Sequence, residues 1–274
     1  MKVLLIVNPQ TAASQTLAIK IQEQLAKKQI DAALLSYTDR IPAHIEYDAA
    51  FSLGGDGTVL FAVRTVAAFG VPVLPLNLGS LGFIATIPPD DWEDEFERWR
   101  SGTSIISERI MLDVRVEREG QCVFSLAALN DAVISASGIS KTIRLSAESG
   151  EFNLARYRSD GLIAATPTGS TAYCASAGGP VLDPEMEAVI LNPVCPFSQL
   201  HRPLVTPARE TITITVERDQ RSGVLLTIDG QVTEALEKGD AIQIRKTPYK
   251  AKLIASGRAA FYRQLHSKLG MGGV

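Results

Sequence analysis

Apolar residues along this chain recur with two different periods, and the change of period divides it. Over residues 2–102 short apolar runs alternate with helical stretches. Residues 3–7, VLLIV, are followed by Leu17, Ile21 and Leu25 at helical spacing, by apolar runs near 32–35 and 49–53, by a helical pattern over 57–69 and by another run over 71–76. Strands taking turns with helices predict a parallel sheet covered on both faces. Residues 90–100, DDWEDEFERWR, predict an amphipathic helix that turns Trp92, Phe96 and Trp99 inward.

After Ser101-Gly102 the texture changes. Short β-rich runs at 110–117, 122–126, 131–135, 142–145, 211–217, 224–228, 241–245 and 251–254 are separated by turn-forming stretches such as EREGQ, SASG, ESGE, RDQRSG and EKGD. They predict a second, mainly β domain. Residues 257–269 are helical again and are expected to pack back on the first domain. The expected division is therefore 1–103 together with 257–274, an α/β domain, and 104–256, a β-rich domain. Neither an internal repeat nor a low-complexity linker interrupts the chain, so the two are expected to meet across a cleft.

Composition narrows the function classes. The chain has 274 residues, 46% of them hydrophobic, enough for sizeable cores. Its 27 basic and 30 acidic residues leave a net charge of −3, which gives no overall attraction to nucleic acid or anionic lipid. An anionic ligand would need a local site. Cys122, Cys174 and Cys195 are widely spaced, with no CxxC pair, so neither a disulfide framework nor a zinc site is expected. The apolar run at the start is too brief for a signal-peptide core, and no later run approaches a membrane span. A cytoplasmic protein with no nucleic-acid or membrane partner is the expectation.

Four stretches carry candidate chemistry. In LGGDGTVL, residues 53–60, Gly54 and Gly55 permit a tight turn, and Gly57-Thr58 would open a helix whose N–H groups favour an anion. The third glycine of a dinucleotide fingerprint is missing, and no P-loop GK[ST] is present. Asp56 beside phosphates would have to hold a metal or accept a proton; otherwise it only caps the helix. In DGLIAATPTGSTAYCASAGGP, residues 160–180, an apolar strand runs into small hydroxylated residues that suit a cradle for a polar ligand, or an ordinary tight contact. In NLGSLGFIA, residues 77–85, Phe83 would either stack on a base or lie in the core. In Leu129-Asn130-Asp131 an amide and a carboxylate open an apolar strand, to bind ribose or adenine or to satisfy local backbone.

Together, GGDGT (54–58), NLGSLGF (77–83), LND (129–131), the long 160–180 block, NPVCPFSQLHRPLV (192–205) and TIDGQ (227–231) resemble the NAD kinase family over nearly the whole chain. GGDGT alone is shared with diacylglycerol, sphingosine and phosphofructokinase relatives; the TPTGSTAY block is far more specific. The resemblance implies an N-terminal α/β domain, a β-sandwich-like C-terminal domain, an active site between them and a homodimer or homotetramer. It implies transfer of the γ-phosphoryl of ATP, carried with Mg²⁺, to the 2′-hydroxyl of the adenosine ribose of NAD, giving NADP. Asp56 matches the aspartate proposed as general base, with Gly55, Gly57 and Thr58 making room for phosphate and Phe83 in the neighbouring glycine-rich loop.

By the same matching Asn130 and Asp131 hold the adenosine part, and Asp160 meets the nicotinamide end. Thr171, Ala172, Tyr173, Cys174, Ala175 and Ser176 line the dinucleotide, with Tyr173 near adenine. Arg158 faces the site and Lys141 lies near phosphate, each with a solvated surface charge as its alternative. Gln231 faces the same cleft, presented by the Asp229-Gly230 turn, unless that turn is a hairpin only. The family usually has glutamate where this chain has Asp131, and CPFSQLHRP departs from the common spelling at Phe197 and in its spacing to Arg202. No protein ligand for the metal is named. The alternative reading is a lipid kinase, for diacylglycerol or a sphingoid base, which shares GGDGT but has no use for a TPTGSTAY cradle.

Overall fold

The protein was described from a computed structural model, which covers residues 1–37, 44–79, 82–138, 141–198 and 201–269. It divides into two compact units, Met1–Arg109 with Tyr249–Val274, and Ile110–Pro248.

The first unit opens with β1 (Lys2–Val7), α1 (Ala12–Lys27), β2 (Asp31–Ser36), β3 (Ala49–Gly54), α2 (Asp56–Val66), β4 (Val73–Asn77) and α3 (Trp92–Arg100). The strands pair in parallel in the order β2-β1-β3-β4. All of β3 and β4 is buried, which explains their mostly apolar runs: helices cover both faces, so no alternation is needed. α1 buries Leu17, Ala18, Ile21 and Leu25 at helical spacing. Trp92 and Phe96 of α3 are buried beside Phe51, and Trp99 packs on the same cluster while half-buried, as the spacing of the aromatics predicted.

The second unit contains β5 (Ile106–Arg118, which begins in the first unit), β6 (Gln121–Ala128), β7 (Asp131–Ala136), β8 (Ile143–Ser149), β9 (Phe152–Ser159) and β10 (Gly161–Ala165). The one-turn helix α4 (Tyr173–Ser176) follows, then β11 (Ala188–Val194), β12 (Leu204–Pro207), β13 (Ile212–Val216), β14 (Val224–Ile228), β15 (Val232–Leu236) and β16 (Ala241–Ile254). Six strands form an antiparallel sheet in the order β12-β11-β10-β7-β14-β15. Side chains from one face of that sheet, among them Ile134, Leu162 and Leu226, share a core with Leu145, Ile214 and Ile244 of the antiparallel β9-β8-β13-β16 set. That is a β-sandwich.

The remaining helix, α5 (Arg258–Leu269), belongs to the first unit, where Phe261 is buried and its ring meets Phe83 at 6.3 Å. The end of β16 enters the parallel sheet there, Leu253 pairing with Val73. The expectation of an α/β unit, a β unit and a returning C-terminal helix is met. One detail differs. The runs at 241–245 and 251–254 are one strand of 14 residues, because Pro248 removes a single N–H without ending the extended backbone. In the 160–180 stretch the strand gives way to a 3-10 turn and four α-helical residues, followed by Gly178 at φ 79°.

Candidate active site

β3 ends at Gly54, and α2 begins two residues later with Asp56 at its first position. Gly54 has to be glycine, since a Cβ there would collide with the buried side chain of Thr58. The Asp56 carboxylate, at the first position of α2, spends its bonds among the described residues on another loop rather than on its own helix. Oδ2 accepts from the Phe83 N–H at 2.9 Å, while Oδ1 accepts from Ile84 N–H at 3.1 Å and Ala85 N–H at 2.8 Å. Gly82 lets the loop come this close, for its Cβ would overlap that carboxylate. On its other side the same loop runs beside β4, with Asn77 N–H donating to the Ile87 carbonyl at 2.8 Å.

A carboxylate offers about four lone-pair directions. Three are taken by these amides, two on Oδ1 and one on Oδ2. Among the described residues one acceptor direction on Oδ2 is left, on a half-buried group whose orientation three bonds fix. Gly55 is half-buried and Gly57 exposed at the helix start, whereas Thr58 is buried and turned under Gly54. Phe83 is half-buried against α5, with the Lys268 ammonium 5.1 Å from its ring centre. Ser80 and Leu81 of the NLGSLGF stretch, and Gln199 and Leu200 of the 192–205 stretch, lie outside the described residues.

In the second unit the chain at 129–131 is held from both sides. Asp229 and Gly230 form the tip between β14 and β15 with φ of 51° and 66°, the left-handed pair that a tight hairpin needs. The Asp229 carboxylate accepts from the N–H groups of Leu129 (3.2 Å), Asn130 (2.8 Å) and Asp131 (3.2 Å). From the opposite side the Thr166 N–H donates to the Asn130 carbonyl at 2.8 Å, and the Thr166 hydroxyl donates to that of Leu129 at 2.6 Å. Gly169 lies so close to the Asn130 carbonyl that a Cβ would not fit.

Asn130 is thus immobilised, yet among the described residues its buried side-chain Oδ1 has no hydrogen-bond partner, and neither has Thr168 Oγ1. Orphaned buried acceptors and hydroxyls at a fixed backbone are what a ligand site looks like before its ligand arrives. Beside them a cavity of 340 Å³ is lined by Asn130, Asp131, Ala172, Tyr173 and the Asp229-Gly230 tip. Burial raises the Asp131 carboxyl to about 7, with the Asp229 carboxylate adding to the shift.

Of the residues expected from sequence, Asn130, Asp131, Ala172 and Tyr173 are brought together here. Thr171 and Ala175 are half-buried and Ser176 is exposed nearby in the chain, without lining this cavity. The Cys174 side chain faces the other way: it is fully buried against Val133, Ile163, Ala165 and Ile190, and Asn192 donates to its carbonyl at 3.1 Å. Burial also raises its thiol to about 11. Gln231 is half-buried just past the hairpin tip, and Asp160 is exposed at the start of β10. Lys141 and Arg158 line a different cavity, of 540 Å³. Thr168 and the clamp role of Asp229 were missed, although a carboxylate at a tight Asp-Gly tip was a usable signal for the second.

Two solved structures share the fold. A yeast NADH kinase complexed with NADH superposes with a TM-score of 0.88 at 24% identity, covering 100% of this chain and 89% of that one. An NAD kinase from Archaeoglobus fulgidus in complex with ATP gives 0.79 at 24% identity, covering 98% of each. Among sequence relatives, the NAD kinase of Treponema denticola is 38% identical over 99% of this chain and 97% of its own. That of Koribacter versatilis is 44% identical over 81% of this chain and 78% of its own.

The sequence relatives define a phosphotransferase that acts on a nucleotide. The family is fixed by two models, the ATP-NAD kinase N-terminal domain over residues 41–102 and its C-terminal domain over 129–256, and the chain belongs to the ATP-NAD kinase family. It is a kinase whose substrates are ATP and NAD. The lipid-kinase alternative finds no support in these relatives.

Proposed function

We propose that Asp56 is the general base of NADP formation, and that Asn130, Asp131, Ala172 and Tyr173 receive the adenosine end of NAD. The observation that carries this is that, among the described residues, one acceptor direction on the Asp56 carboxylate is unfilled while three are occupied by Phe83, Ile84 and Ala85. A carboxylate held by three amides does not swing, so a hydroxyl placed at its remaining lone pair is held in line for attack. In the step itself the ribose 2′-oxygen forms a bond to the γ-phosphorus, and the bond from that phosphorus to the β,γ-bridging oxygen breaks. ADP leaves with the electron pair, and the hydroxyl proton passes to Asp56.

The orphaned Oδ1 of Asn130 is an acceptor waiting for an adenosine donor, and the exposed Tyr173 ring offers a face for adenine. A carboxyl near 7, as at Asp131, is available both as donor and as acceptor at neutral pH. Among the described residues no group of three or more His, Cys, Asp or Glu side chains converges to hold a metal. In this reading Mg²⁺ comes with the ATP it accompanies, and no step is routed through it. Among the described residues no helix is long and apolar enough to cross a membrane. The reading extends to a cytoplasmic homodimer or homotetramer.

The test is NADP production from NAD, ATP and Mg²⁺, followed with an NADP-specific dehydrogenase, in wild type and Asp56→Asn. Turnover is expected to fall by about 10²-fold or more in the variant, with NAD binding retained. Near-normal turnover would leave Asp56 only the task of tethering the 83–85 loop.

A further inference from the structure

β11 reads AVILNPV and is buried along six of its seven residues, so its sequence puts an amide into an otherwise apolar strand. A buried amide costs stability unless its polar atoms are bonded. Side chains alternate along a strand, so Asn192 points to the same face as Ile190, which packs with Val133, Ile163, Ala165 and Cys174 in a small core against α4. Asn192 is 1% exposed and faces α4. Pro193 keeps the residue before it in extended backbone, which fixes that direction.

Asn192 Nδ2 donates to the Cys174 carbonyl at 3.1 Å and to the Ala177 carbonyl at 3.3 Å, and lies 3.7 Å from Cys174 Sγ. Two carbonyl acceptors identify that end of the side chain as its NH2. Both carbonyls lie in or just past α4, where a helix end leaves its C=O groups without intrahelical partners. Four residues cannot sustain a helix by themselves, so ties from outside decide where this turn sits. Gly179 completes the tie. Its N–H donates to the same Cys174 carbonyl at 2.9 Å, and a Cβ there would collide with Cys174 Sγ and crowd the Asn192 amide. The two residues just before Cys174, Ala172 and Tyr173, line the 340 Å³ cavity, whereas Asn192 does not.

We propose that Asn192 is a positioning residue for NAD: it acts without touching the dinucleotide, by holding from behind the turn that presents Ala172 and Tyr173. This rests on the reading that those two residues receive adenosine. The Asp56 carboxylate and its three amides belong to the other unit, so loss of the Asn192 amide should weaken NAD binding and spare the chemical step.

The experiment is steady-state kinetics of the full chain carrying Asn192→Leu, which keeps the branched shape and removes the donors, or Asn192→Ala. Each should raise KM for NAD about tenfold, with kcat and KM for ATP within about twofold of wild type. Hydrogen exchange should quicken in peptides covering residues 172–179 and not in those covering β13. Unchanged KM for NAD, a fall in kcat as large as the rise in KM, or loss of the fold in both variants overturns the proposal. Tyr173→Ala, measured alongside, separates it from the adenosine reading. If Tyr173→Ala raises KM for NAD and the Asn192 variants do not, the positioning role fails alone. If Tyr173→Ala leaves KM unchanged, the adenosine reading fails at that residue; a rise in the Asn192 variants then still supports the positioning role through the rest of the turn, and no rise overturns it.

Discussion

Burial sets the character of Asp131 more than any partner does. Desolvation is the larger cause of its rise to about 7, and repulsion from Asp229 the smaller. The folded-state value lies above the ordinary carboxylate value, so its contribution to stability is complete below about pH 4 and is lost as pH rises through about 7. Asp131→Asn should therefore flatten the fall in Tm between pH 5 and 8, and should stabilise the fold at pH 8 by a few kcal/mol, since one unit is worth about 1.4 kcal/mol. An unchanged Tm profile in the variant would mean that another group titrates. Asn130 makes the complementary case. Its Oδ1 has no partner among the described residues, so Asn130→Ala should raise KM for NAD about tenfold without lowering Tm, as steady-state kinetics and thermal melts would show. A lowered Tm would mark the amide as structural.

Elements differ in how plainly the sequence announces them. β3 and β4 are buried on both faces and read as mostly apolar runs without alternation, and α3 shows its aromatic stripe. β9, β12 and β15 gave no such signal: each is short or mostly exposed, and each ends a sheet order, where polar residues are accepted. The site was legible in part for the same reason. GGDGT and Asn130-Asp131 are local, but Asp56 meets its amides 27 to 29 residues away, and Asp229 clamps Asn130 from 99 residues away. No periodicity encodes such distances. Gly82 is the test of that long-range pairing. Gly82→Ala would push a methyl group into the Asp56 carboxylate and displace the 83–85 loop, so NADP formation should fall by about 10²-fold while circular dichroism and NAD affinity are kept. Wild-type turnover would show that the three amides do not position the base.

At the scale of the molecule, chain order and structural unit do not coincide. The first unit is assembled from Met1–Arg109 and Tyr249–Val274, so its last strand partner and its last helix are made after the whole second unit. That returning segment is no ornament: Leu253 pairs with Val73, Ile254 joins the core cluster of Leu74 and Leu76, and Phe261 is buried beside Phe83. Burying each such side chain is worth about 1.5–3 kcal/mol, so the three together contribute roughly 5–9 kcal/mol. That is comparable with the whole stability of an ordinary domain, about 5–15 kcal/mol. The Arg109 guanidinium also donates to the Ser256 carbonyl at 2.8 Å, a buried bond that only the returning segment supplies. A fragment of residues 1–109 should therefore fail to unfold cooperatively in urea, whereas residues 110–248, contiguous and with a sandwich core of their own, should give a single sigmoidal transition. Adding residues 249–274 to the first fragment through a short linker should restore its transition. If the 1–109 fragment melts cooperatively by itself, then the parallel sheet is sufficient, and the C-terminal strand and helix serve the Phe83 loop rather than the fold.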